Sequence, residues 1–242
     1  MPTHDKEHAH HAGEHTLSRR FRIVVVELAH HLPYTIISSL IAMAAIWYFG
    51  TVQEQQAAGQ SWVAPLRWSF HVLHPLHVCL SAITTTAVLW RFERKLFKAL
   101  AVGTLGSVIP CGFSDYVVPF VGGRILGQPM ELHMCLIEHP MLILPFLLLG
   151  LFCGFLFEGR VSNHSIFSHG AHVFVSSLAA LLYLAGFGFT GWMTDFTLIF
   201  PVLLVVVTAV WIPCCIGDIV VPVSAIRHYP HGGRHSVPRP SV

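Results

Sequence analysis

Ile109-Pro110-Cys111-Gly112-Phe113-Ser114-Asp115-Tyr116-Val117-Val118-Pro119 returns about a hundred residues later as Ile212-Pro213-Cys214-Cys215-Ile216-Gly217-Asp218-Ile219-Val220-Val221-Pro222. Seven of the eleven positions are identical, among them both prolines, the cysteine and the aspartate. A second pair of segments makes chance a poor explanation. His74, His77, Val78 and Ser81 share the pattern His-x-x-His-Val-x-x-Ser with His169, His172, Val173 and Ser176. A looser third pair sets His31 and Pro33 against Glu138, His139 and Pro140. The three pairs occur in the same order, so the chain reads as a duplicated unit.

Each copy lies in strongly apolar sequence. The 242 residues are 54% hydrophobic and 11% charged, against about 25% charged in an ordinary soluble domain. So thin a polar coat implies that much of the surface faces lipid. A spanning helix needs about 20 apolar residues, and runs of that kind fall at 22–49, 69–90, 98–121, 132–157, 167–189 and 197–226. The expected fold is therefore an all-α integral membrane protein of six transmembrane helices. Residues 1–21 would form a His-rich tail, 22–121 a first three-helix repeat, 132–226 a second, and 227–242 a closing tail with His and Arg. An odd number of spans per repeat inverts the second repeat relative to the first, an arrangement common among secondary transporters.

Basic residues give the orientation, since short cytoplasmic segments are enriched in Lys and Arg. With the N-terminus cytoplasmic, twelve of the fourteen fall inside, leaving Arg67 and Arg124 outside. Both termini are then expected in the cytoplasm of a multi-pass cell-membrane protein, the inner membrane in a bacterium. Trp47, Tyr48, Trp62, Trp68 and Trp192 stand where interfacial aromatics belong. The polar first twenty residues lack a short apolar core and cleavage site, so the first span is expected to be retained. Basic residues that only flank apolar runs make no phosphate-tracking stripe, which argues against nucleic acid as a partner. All six cysteines lie in apolar runs, unlike the disulfide frameworks of small secreted domains.

Ionisable groups at membrane depth are costly unless paired or solvated, and each is a functional candidate. Here they are Glu27, His30, His31, His74, His77, Asp115, Glu138, His139, His169, His172 and Asp218, joined by Cys111 and Cys214 as soft donors. Imidazole, thiolate and carboxylate together suit divalent transition metals: Zn, Ni, Co, Fe or Mn. Residues three or four apart share a helix face, which groups His74 with His77, His169 with His172, Cys111 with Asp115, Cys214 with Asp218 and Glu27 with His31. The rise of about 1.5 Å per residue sets Cys111 and Cys214 nearest the midplane. It sets His74, His77, Asp115, Glu138 and His139 on the outer side, His30, His31, His172 and Asp218 on the inner side, and His169 deeper still. This reads as two polar clusters flanking a thiol pair. Pro110, Pro119, Pro213 and Pro222 free backbone carbonyls, which at this depth must line a cavity or be buried.

Plainer readings exist for each feature. One His-x-x-His on an apolar helix is ordinarily packing or an interhelical hydrogen bond, and its recurrence is what turns the reading toward ligation. An intramembrane Asp can carry protons, so proton coupling stays open. Cys79 and Cys153 read as inert packing, and Ser81, Ser176 and Thr84–Thr86 as interhelical hydrogen-bond formers. The tails, with His4, His8, His10, His11 and His15 and with His228, His231 and His235, read equally as metal buffers or as solvated segments.

The repeated His-x-x-His-Val-x-x-Ser and Ile-Pro-Cys patterns resemble those of bacterial arsenic-permease-like heavy-metal permeases, manganese exporters among them. The resemblance covers the second, third, fifth and sixth spans, and those permeases generally have more spans. It implies transport and no particular substrate. The expected function is a permease for a divalent transition-metal cation, not an enzyme. His77, His172, Cys111, Cys214, Asp115 and Asp218 would coordinate the ion along its path, with His31 and His139 flanking. The alternatives are a membrane-embedded haem or metal redox protein, with histidines on neighbouring spans as axial ligands, and a non-transporting membrane subunit.

Overall fold

The computed structural model describes residues 25–26, 28–50, 63–157 and 165–226, with the side chains of 165–169, 219 and 223 outside the description. Both His-rich tails, Glu27 and Trp62 lie outside the described residues. Those that are described form an all-helical protein with no strand. Four helices are long and apolar enough to cross a membrane: Leu28–Gly50, Val63–Phe92, Leu96–Ile125 and Phe196–Asp218. Two shorter apolar helices, Pro140–Leu156 and Gly170–Gly186, accompany them.

We name α1 (Leu28–Gly50), α2 (Val63–Phe92), α3 (Leu96–Gly112), α4 (Val118–Ile125), α5 (Cys135–Glu138), α6 (Pro140–Leu156), α7 (Ser165–Gly186), α8 (Ile199–Cys215) and α9 (Val221–Ala225). The second, third and fourth runs depart from the boundaries expected from composition. α2 begins at Val63, and α4 carries the third run to Ile125. The fourth run is broken at His139, whose φ of −134° and ψ of 55° leave the helical region. Pro140 explains the break, because its ring disfavours the α conformation in the residue before it.

α2 is the central element, packing on α3, α6 and α7. Gly150 and Gly154 of α6 let the α2 backbone come close. A Cβ at Gly150 would lie 2.5 Å from the Cys79 carbonyl oxygen, and one at Gly154 2.7 Å from the Thr86 Cβ. Small residues four apart serve helix association where lipid supplies no hydrophobic drive. The opposite face of α6 presents Met141, Leu148 and Phe152 outward, which suits contact with acyl chains. Gly150→Leu should therefore cost about 1–3 kcal/mol through overpacking. A melting temperature in detergent unchanged from wild type would show that α6 is not seated on α2 in this way.

The duplicated motif has one local structure in both places. α3 widens into a π turn at Phe113–Val117, and α8 does so at Ile216–Val220. The amide of Phe113 is shared between the carbonyls of Ile109 and Pro110, as that of Ile216 is between Ile212 and Pro213. Such wide turns recur at functional sites. Pro110 lacks the amide that would bond the Gly106 carbonyl, and the second motif crosses there. A Cβ on Gly217 would stand 2.8 Å from the Gly106 oxygen. The thiols and carboxylates of the two motifs thereby reach one interior region.

Candidate metal centre

Asp115 is fully buried in the π turn after α3. Its Oδ2 accepts from His74 Nδ1 at 2.8 Å, and His77 Nδ1 lies 2.9 Å from Oδ1 and 2.8 Å from Oδ2. Ser114 donates to Oδ1 at 2.7 Å, and Ser176, from α7, at 3.2 Å. His74 is further held by stacking on Phe70 (5.5 Å between centroids) and by the edge of Tyr116.

A carboxylate only accepts, so these bonds place the His77 proton on Nδ1 and turn the Nε2 lone pair away from Asp115. Nε2 of His77 meets Nε2 of His172 at 3.1 Å, with Cys214 Sγ at 3.7 Å and Cys111 Sγ at 3.8 Å. His77, His172 and Cys214 form one group whose ligand atoms all lie within 4.8 Å of each other. A tetrahedral zinc ion, with Zn–N near 2.0–2.1 Å and Zn–S near 2.3 Å, sets its donors about 3.3–3.7 Å apart. The three donors of this group come from α2, α7 and α8, while Cys111 of α3 stands beside His77 outside the group.

Comparison with protein-family models, with curated proteins and with solved structures returns no match.

Asp218, in the other π turn, is held more lightly. Ser81 donates to its Oδ1 at 3.1 Å, while Oδ2 takes no hydrogen bond from the described residues and stands 3.4 Å from His172 Nε2. Each aspartate thus takes a serine from the helix associated with the opposite motif: Ser81 reaches Asp218 and Ser176 reaches Asp115. None of His74, His77, Cys111, Asp115, His172, Cys214 and Asp218 is more than 5% exposed. Among the described residues, the ion pairs of both aspartates are with histidine alone. Among the described residues no Lys or Arg balances them, so an imidazolium, a bound cation or a proton on the carboxylate would have to do so.

The seven candidates just named come together in one cluster. Sequence reading expected two polar clusters on either side of a thiol pair; instead His77 and His172 meet directly, with the thiols beside them. His169 lies on α7 with its side chain outside the description. His31 sits on α1, where its carbonyl accepts the Thr35 hydroxyl, and belongs to neither ligand-competent group among the described residues. Thr85 reaches the Gly217 carbonyl across helices, whereas Thr84 bonds within α2. Trp192, expected at the lipid interface, is buried, and Trp47 donates to the Met193 carbonyl beside it. All six cysteines are free.

Glu138 and His139 belong elsewhere, at the end of the bundle where α2 begins and α7 ends. There His71, His133 and His139 bring ring nitrogens within 4.8 Å of one another. His71 and His133 face each other through Nε2 at 3.0 Å. His71 Nδ1 is 2.6 Å from the Arg67 carbonyl, and His133 Nδ1 is 2.8 Å from Glu138 Oε2. Sequence reading missed His71 and His133. The signal for His71 was present, one turn before His74 in the same three-residue rhythm. His133 stood at the very edge of the expected 132–157 span with no recurring spacing to mark it, and the structure places it in a connection before α5. That connection is pinned by α7: His133 N–H donates to the Tyr183 hydroxyl, which donates to the Glu131 carbonyl. Burial lowers the His133 pKa, against the opposing pull of Glu138. The Met134 amide first, and then His133, hold Glu138 below the usual range. Burial, with Glu138 and Asp115 adding to it, pushes the neighbouring Cys135 thiol up to about 12, so it stays protonated.

Proposed function

We propose that the chain is a membrane permease for a divalent transition-metal cation, built as six spans in two inverted three-helix repeats with both termini cytoplasmic. The observation that carries this reading is the convergence on His77 Nε2 of a second imidazole and two thiols, behind which Asp115 fixes the tautomer. A carboxylate–histidine pair of this kind orients a metal ligand and raises its basicity. The repeated π turns and the reciprocal serine–aspartate bonds support the two-fold organisation, with the cluster where the repeats meet. Orientation rests on the Lys/Arg asymmetry.

The donor set refines the substrate. Two imidazoles and two thiols suit zinc first, then cobalt, nickel or iron, while manganese favours carboxylate, carbonyl and water oxygens. His77 and His172 would be the imidazole ligands, Cys111 and Cys214 the thiolates, and Asp218 the adjacent negative charge with an oxygen to spare. Asp115 would act through His77. Protons displaced from the thiols on binding offer a coupling route through the two aspartates.

A resident ion is the second reading, favoured by the burial of every ligand. Haem is less well accommodated. Metal–nitrogen bonds of about 2 Å require axial nitrogens about 4 Å apart with a flat ring between them. Here the nitrogens are 3.1 Å apart, with two thiols within 3.8 Å of His77. Cobalt(II) added to the purified chain should give thiolate-to-cobalt charge-transfer bands that weaken in Cys111→Ser and Cys214→Ser. Zinc should enter liposomes carrying wild-type protein and not those carrying the His77→Ala/His172→Ala variant. Bands without flux would establish the resident ion; a Soret band in the purified protein would establish haem.

A further inference from the structure

We infer that His71, His133 and His139 form a second metal site, open toward solvent at the end of the bundle, for a divalent cation of the zinc class. Proton arithmetic around His71 and His133 makes the case. Nδ1 of His71 faces a carbonyl oxygen and Nδ1 of His133 faces a carboxylate oxygen. Each contact needs its proton on Nδ1, because both partners accept. The third contact, Nε2 to Nε2 at 3.0 Å, then brings two lone pairs together. Two neutral imidazoles carry two N–H protons, and three contacts ask for three. Either an additional proton or a metal ion resolves the conflict, and the third imidazole decides between them. His139 brings its nitrogen within 4.8 Å of both, completing a donor triad that a shared proton does not need.

The surroundings are built to hold these rings. His133 stacks on Phe187 at 4.8 Å with an interplanar angle of 11°, and the Arg67 guanidinium lies over the same ring, 4.8 Å from its centroid. Arg67 also donates to the Gly186 carbonyl and pairs with Glu131, tying α2 to α7 and to the connection that carries His133. Glu138 takes the Met134 amide on Oε1 and His133 on Oε2, so it positions His133 as Asp115 positions His77. The break at His139, imposed by Pro140, sets the third donor beside them. Three imidazoles leave a fourth position for water or an exchanging ligand, and His139 is exposed. Such a site suits capture and release. His71, His74 and His77 follow one another along α2, and six residues of helix span about 9 Å, so the triad stands at the approach to the buried cluster. The assignment of the triad rests on its own geometry and not on the transport reading.

Zinc titrated into the full-length protein in detergent tests it, with His139→Gln and Glu138→Gln compared with wild type. His139 and Glu138 are exposed, so both variants should fold. His139→Gln should lose one equivalent of zinc, and Glu138→Gln should bind that equivalent roughly 10–100-fold more weakly. The cobalt–thiolate bands of the buried centre should persist in both. Wild-type zinc stoichiometry and affinity in both variants would overturn the second site, whatever the buried centre does. Loss of the equivalent in a protein that never shows thiolate bands would uphold the triad and remove the buried centre instead.

Discussion

His77→Ala is expected to abolish metal binding at the buried centre and to lower stability as well. His77 is the shared member of the cluster: Nε2 faces His172, Cys111 and Cys214, while Nδ1 bonds Asp115. Removing it takes away one ligand and the reference point of the other three. It also deprives a fully buried carboxylate of a donor, at about 1.5–3 kcal/mol for a hydrogen bond to a charged group. Cysteine replacements spare Asp115 and should lose metal with little loss of stability. Metal content of the purified protein and its melting temperature in detergent separate the two effects. Wild-type metal content in His77→Ala, after the tails have been stripped with chelator, would remove the buried cluster from consideration.

The two aspartates should respond differently, although the sequence places them in equivalent positions. The charge-removing change Asp115→Asn sets an amide donor against His74, His77, Ser114 and Ser176, all of which donate to this carboxylate. At least one donor is left facing a donor, at a cost of about 1–3 kcal/mol. His77 also loses its orientation, for a loss in metal affinity of roughly 10–100-fold. Among the described residues, Asp218 accepts a hydrogen bond from Ser81 alone, and its Oδ2 takes none, standing 3.4 Å from His172 Nε2. An amide can turn its nitrogen to that side, so Asp218→Asn should keep the fold and lose affinity through charge alone. Equal melting temperatures for the two variants would contradict this asymmetry.

The motifs that build the buried centre were legible in the sequence because duplication exposed them: Cys111 with Cys214, Asp115 with Asp218, His77 with His172. What no sequence pattern specified was which faces meet. His77 and His172 approach each other because α2 and α7 cross where both π turns arrive, a tertiary event without a local signal. The partners of the matched aspartates differ for the same reason: Asp115 gathers two histidines, and the described partners of Asp218 are fewer. Glu138 and His139 were noticed as intramembrane groups, yet the break before Pro140 carries them to the end of the bundle. Trp192 was expected at the lipid boundary from its place in the chain. Its burial follows from the turn at Gly191–Met193, which folds it back among the helices.

The crossed bonds of the serines constrain how such a protein could move. Ser81 holds the carboxylate of the second motif, and Ser176 holds that of the first. The arrangement is a handshake, in which neither side can withdraw without both grips opening. Drawing the two sides apart would break both bonds together, leaving Asp115 to His74, His77 and Ser114 and Asp218 to His172. The two bonds should therefore loosen together and not one at a time. In the permease proposed above, a pair of hydroxyl groups would then tie the movement of one repeat to that of the other.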